Sequence, residues 1–485
     1  MGTVQNLKSN MAATGSGEEV AEDRAKLPRS HATSAVNHNL LRNTLSLAGI
    51  VGALLVAATL LASTAGAQAP VVGPFPSWPA GSLEPAAIGP LSETVFGRAR
   101  PDYDALGFRW ESFIINPSAS LGGVFDSNIY ATETDTKSDF FVREAAGISI
   151  KSDWSRHAIV FNAGGDFRQY ATYTQNNQNN ASVDLGGRYD ISTGEYFTAD
   201  ALYQLLHEDR SSPNAVNGVN PTQYVVYGAD LAYVHMVGRL GFRIDSTYTA
   251  YSFNNPLSST GGVINQSFRD RNEYVIAPRL QYEIQPGYNA FIRALGNERQ
   301  YFSQECTPTD CTPASQGIRR NSHGWEVDVG TAIEITRIIT AEVYVGYLQQ
   351  FYENPLLKSP SAPGFGGNLI WNVTPLTTVR GSFSQAVAET TLEGASSSLE
   401  TGVSATVEHE LLRNVLLLGS AGLVHDNYQG NPRVDNTFGF DAGVKYLLNR
   451  NWSATADLNY SQRNSNVAGN NYNRFRAIFA VKYAY

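Results

Sequence analysis

The residues of this 485-residue chain best suited to chemistry are its histidines that sit beside acids and its two cysteines. His207 is followed by Glu208 and Asp209, and His425 by Asp426. A hydrolytic site needs a base, a partner that orients it, and an activated serine or water. Neighbouring residues of a strand project to opposite faces, so His425 and Asp426 cannot pair while both stay in one strand. His157, His235 and His409 fall near short polar breaks in the sequence. No phosphate-binding loop or metal-ligand cluster is written in the sequence. The expectation is therefore a non-enzyme with no catalytic residues, no metal and no cofactor. Cys306 and Cys311, in CTPTDC, are too few for a zinc site. Their close spacing in a cysteine-poor chain predicts one local disulfide in an oxidising compartment, with two unpaired thiols as the alternative.

The charged residues carry more information, because they recur at every second position. Near the C-terminus Phe475, Ala477, Phe479, Val481, Tyr483 and Tyr485 share one face, and Arg474, Arg476 and Lys482 lie on the other. The same alternation sets Tyr274, Ile276 and Leu280 against Glu273 and Arg279, and Trp325, Val327 and Val329 against Glu326 and Asp328. Such segments of about 10–14 residues recur in series from residue 113 to the end, and a tilted strand needs roughly 9–11 residues to cross a bilayer. A composition of 42% apolar and 16% charged residues, with 25 Tyr and 43 Gly, fits strands of which only one face meets lipid. A net charge of -9 without any basic run argues against nucleic acid as a partner.

The connectors give an independent signal. Short turns fall at 153–156, 192–195, 237–239, 286–288, 337–339, 374–376, 412–414 and 449–451. Longer polar stretches lie between them, at 126–138, 173–180, 209–222, 254–270, 303–321, 354–362, 390–397, 428–434 and 464–471. This strict alternation matches the short periplasmic turns and long external loops of an outer-membrane barrel. The expected fold is all-β, a transmembrane antiparallel up-and-down barrel of about eighteen strands over residues 112–485. An even count returns both ends to the periplasm and puts Cys306 and Cys311 in the longest loop.

Upstream, residues 45–62 are apolar and uncharged and precede STAGAQA. This reads as a signal-peptide core with cleavage near residue 67, a membrane anchor being the rival reading. Glu18, Glu19, Glu22 and Asp23 are unusual in a leader, and an alternative start at Val36 would remove them. Residues 68–111, rich in Pro, Gly and Ala and without strand alternation, read as a periplasmic arm.

Residues 113–132 (FIINPSASLGGVFDSNIYAT), with RARPDYD at 98–104 before them and SDWSRH at 152–157 after, resemble the outer-membrane family named Putative β-barrel porin 2. The resemblance spans about 95–485. It implies an outer-membrane location and a porin-like barrel, and it suggests polysaccharide export proteins as partners. It supplies no site residues. The C-terminal Phe479, Val481, Tyr483 and Tyr485 also resemble the signal read by the barrel-assembly machinery, which would be a partner along with outer-membrane lipid.

Eighteen strands leave a water-filled lumen. By alternation its candidate lining includes Arg143, Arg168, Arg188, Arg243, Glu273, Arg279, Glu326, Asp328, Arg474, Arg476 and Lys482. Both signs occur and no single-sign ring is visible. The charges would set up a transverse field or pair along the wall. Tyr224, Tyr251, Tyr344 and Tyr352 also point inward and could stack on sugars. The function expected is passage of small hydrophilic solutes or export of polysaccharide. A closed structural or surface-interaction barrel is the alternative.

Overall fold

The computed structural model describes residues 94–304, 317–335 and 338–485. The leader and Cys306–Cys311 expectations lie outside the described residues. The strands are β1 (Phe108–Trp110), β2 (Phe113–Asp126), β3 (Asp139–Ser152), β4 (Ala158–Tyr170), β5 (Gln178–Ser192), β6 (Glu195–His207), β7 (Gln223–Val237), β8 (Leu240–Phe253), β9 (Arg271–Gln285) and β10 (Tyr288–Tyr301). They continue with β11 (Ser322–Ile335), β12 (Ile339–Tyr352), β13 (Ser361–Thr374), β14 (Thr377–Ala388), β15 (Ser397–Leu412), β16 (Val415–Gln429), β17 (Val434–Leu447), β18 (Trp452–Ser465) and β19 (Tyr472–Ala484).

From β2 onward each strand pairs antiparallel with the next, and β19 returns to β2 with Arg476 opposite Asp126 and Ala484 opposite Ser118. The sheet is a closed barrel of eighteen strands, with no edge left to pair in the bilayer. β1 belongs to the segment expected to be strandless. It lies on the same edge of β2 as β19 does, with Phe108 opposite Ile115. The Tyr485 N–H donates to the Pro117 carbonyl at 3.0 Å between the two. The missing N–H of Pro117 thus falls where one partner strand gives way to the other, a place where proline costs the ladder little.

Among the described residues the short turns lie at one end, which in an outer-membrane barrel is the periplasmic one. Gly287 shows what such a turn requires: its φ is +81°, and a Cβ there would run into the Glu334 carbonyl. Among the described residues, the longer connectors lie at the other end.

The distribution of polarity is inverted relative to a soluble protein. Exposed aromatics form two belts. Tyr189, Phe197, Trp371 and Trp452 lie near the turns, and Phe125, Phe140, Trp325 and Phe438 near the loops. Leu231, Val345, Val403 and Leu458 are exposed between them. The most deeply buried residues include Asp126, Asp328 and Asp435, each 0% exposed. A continuous apolar exterior with aromatic girdles and a polar interior is what a bilayer selects. Glu144, flanked by Val142 and Ala146, breaks the pattern on the outer face of β3.

Candidate lumen and its two mouths

Strand parity places all eleven sequence-selected charged residues on the face turned away from the exposed aromatics. Most of these charges are engaged with one another. Arg143 and Arg168 lie directly opposite and share Asp166. Arg188 pairs with Asp190 at 2.8 Å and Arg271 with Glu273 at 2.6 Å. Arg243, Arg279 and Arg293 form one row across β8, β9 and β10, each directly opposite the next. Like charges so placed repel, and each has its own acid: Asp245 at 2.6 Å, Glu342 at 2.9 Å and Asp328 at 2.7 Å. Glu326 lies 3.9 Å from Arg293. Arg474 holds Asp126 at 2.6 Å, with 4% and 0% of the two side chains exposed. Arg476 is bonded to Asn459 at 2.8 Å. Lys482 faces Ser120 and Ser453.

The inward tyrosines are less available than their alternation suggests. Arg271 covers the Tyr251 ring at 4.0 Å and Arg293 the Tyr344 ring at 4.4 Å. Tyr224 stacks on Phe253 at 5.1 Å. Rings already engaged by guanidinium or phenyl groups offer less face to a sugar.

Two loops close on the outer mouth. The 208–222 loop reaches the β18–β19 wall, where Asp209 bonds Arg474 at 2.7 Å and the Ser211 carbonyl accepts from Arg463. It also meets the 389–396 loop, whose Thr391 N–H donates to Asn214 Oδ1 at 2.9 Å. That second loop is anchored inward by Glu389, which pairs with Arg299 at 2.5 Å and accepts from the Tyr301 hydroxyl. The root of the first loop is fixed by the Arg269–Glu208 pair at 2.7 Å. Burial pushes the Asp209 carboxyl up, but Arg474 and Arg476 outweigh it and hold that carboxyl well below the usual carboxylate range.

The periplasmic mouth is occupied by residues 94–104. The Val95 and Phe96 N–H groups donate to Thr378 Oγ1 at 3.0 Å and Glu408 Oε2 at 2.8 Å. Arg100 pairs with Glu410 at 2.9 Å, and only 5% and 4% of their side chains are exposed. Val95 packs with Leu416 and Leu447, backed by Phe96 and Tyr103. Arg450 in a periplasmic turn donates to the Pro101 carbonyl at 2.8 Å. Thr378, Glu408, Glu410, Leu416 and Leu447 are all inward residues at the periplasmic ends of their strands.

The sequence reading missed this seating, along with the roles of Glu408, Glu410 and Glu389. RARPDYD gave no signal of it beyond the resemblance, since the acid partner of Arg100, Glu410, lies 310 residues away. The histidine doublets are not assembled into a site. His425 bonds Asn436 at 2.9 Å and Asp426 accepts from Ser398 at 3.1 Å, on opposite faces of β16.

A closed barrel with an apolar girdled exterior, a charged interior, short turns at one end and long loops at the other is an integral outer-membrane protein of the porin type. The family model described as Putative beta-barrel porin 2 matches residues 100–485, and the chain belongs to that family, whose place is the cell outer membrane. No curated protein sequence matches the chain. Among solved structures it is similar to OpdO of Pseudomonas aeruginosa (10% identity, 76% of this chain and 97% of that one, TM-score 0.40). It is also similar to OccK2 (OpdF) of Pseudomonas aeruginosa in complex with glucuronate (7% identity, 78% and 99%, TM-score 0.42) and to the unliganded ferric citrate transporter FecA (13% identity, 77% and 61%, TM-score 0.39).

Proposed function

We propose that the barrel is a channel for small hydrophilic solutes, narrowed outside by two loops and inside by residues 94–104. One observation carries this reading: Asn368 on β13 and Ala386 on β14 are inward by parity yet exposed. Water therefore reaches the inner wall there. The neighbouring inward positions Ser382, Ser404 and Gly422 are short, so the free cross-section lies along β14–β16, away from the arginines of β3–β10. A barrel of this strand number has room for such a path.

Small solutes are favoured over polysaccharide because the inward tyrosine faces are covered and both mouths are narrowed. Export of polysaccharide with periplasmic partners remains the finer alternative carried by the family resemblance, and insertion by the barrel-assembly machinery through the C-terminal aromatics belongs to the same reading. The test is liposome swelling with the refolded chain. A neutral pentose should enter and a large oligosaccharide should not. Vesicles that contain folded barrel yet exclude the pentose would support a closed scaffold instead.

A further inference from the structure

The inward arginines from β3 to β10 each have a carboxylate within 4.0 Å. Lys445 on β17 and Lys482 on β19 differ. Both point inward and are partly exposed, and among the described residues no carboxylate approaches either within that distance. Their register brings them together: Lys445 stands opposite Thr455, and Lys482 opposite Ser453, on the intervening β18. Two inter-strand spacings of about 4.8 Å separate their strands, well within the combined reach of two lysine side chains. On its other side Lys482 stands opposite Ser120.

We propose that Lys445 and Lys482, with the hydroxyls of Ser453 and Ser120, form an oxyanion-binding site in the periplasmic half of the lumen, taking a phosphate or carboxylate group. Two ammonium groups on adjoining strands repel, and a shared anion converts that repulsion into charge-assisted hydrogen bonds. The hydroxyls between them can donate to the remaining oxygens. Asp457, the next inward residue of β18, bounds the site with negative charge on the outer side. On the periplasmic side Leu447 lies under Val95 and Tyr103, so the seated 94–104 segment, which carries Arg100 and Asp104, forms its floor. The proposal deepens the channel reading by naming the class of solute the lumen prefers, and it rests on that reading for its purpose. The binding chemistry itself needs no conduction.

The experiment is titration of the refolded chain in detergent with inorganic phosphate, followed by calorimetry, beside the chloride-to-potassium permeability ratio in planar bilayers. Phosphate should bind the unaltered chain, and the double variant Lys445→Gln/Lys482→Gln should bind at least tenfold more weakly and lose chloride preference. Lys482→Arg, which keeps the charge, should retain both properties. Where the double variant does not refold, the single Lys482→Gln variant makes the same comparison, with folding read from heat-modifiable gel mobility. Equal phosphate binding by variant and unaltered chain, or none by either, overturns the proposal. Binding without conduction would keep the site and sink the channel, whereas conduction without binding would do the reverse.

Discussion

Arg474 ties three separate parts of the barrel to one guanidinium. It pairs with Asp126 at the closing seam and with Asp209 in the loop that crosses the mouth. Removing one partner of a buried pair leaves the other charge uncompensated, at a cost of about 3–5 kcal/mol. Arg474→Ala should therefore lower the stability of the folded barrel by that order in urea titrations, while Arg476→Ala, which gives up an asparagine contact and a longer-range attraction to Asp209, should cost less. The Asp209 carboxyl is held below its ordinary value, so its contribution is complete above the ordinary pKa of 3.8 and fades only as pH falls further, through its folded value. Conductance should thus be steady from pH 7 to about pH 4, with the loop releasing only in stronger acid, and Asp209→Asn should release it at neutral pH. A pH step near 6 would assign the latch to another group. Inwardness was legible for Arg474 and Arg476, because period-two alternation is local, whereas Asp126 and Asp209 read as the first residues of long connectors. Pairing was not legible. Asp126 and Asp209 lie 348 and 265 residues from Arg474, and no spacing rule links positions that only barrel closure brings together.

The strands were readable because lipid and lumen impose opposite demands on alternate positions, and the turns because eight short polar breaks interrupt that alternation. The inward folding of the 208–222 and 389–396 loops was not readable. Their sequences look like solvated external loops, and what turns them inward is a set of contacts with distant wall residues. Glu389 is the clearest case, since it meets Arg299 and Tyr301 across three intervening strands. Glu389→Gln would remove the nearer acid from Arg299, which keeps Glu273 directly opposite on β9. The 389–396 loop should then be cut faster by added protease and the open channel should be noisier, with barrel stability little changed. Unchanged proteolysis would mean that the other contacts of the loop, with Asn214, Arg320, Lys358 and Asn431, suffice to hold it. Residues 94–104 present the same difficulty in another form. They read as linker, yet Val95, Phe96 and Arg100 fit inward groups supplied by four strands. Arg100→Ala should weaken this seating and raise the fraction of time spent in a larger conducting state.

At the scale of the molecule, the chain spends its apolar residues on the outside and its charges within. That inversion accounts for the 42% apolar content without a long apolar run in the barrel. The exposed Glu144 runs against it: a carboxylate facing lipid is unfavourable, and Glu144→Leu should raise the unfolding temperature of the barrel in vesicles. An unchanged or lower temperature would show that this face is not lipid-covered. The central claim is a water-filled lumen narrowed at its periplasmic end. It is tested most directly by single-channel conductance of the refolded chain in planar bilayers, compared with a chain from which the residues up to 104 have been removed. Discrete conductance from the first and a larger one from the second is the predicted result. Silence from both, in barrels shown to be folded by heat-modifiable mobility, would contradict the account.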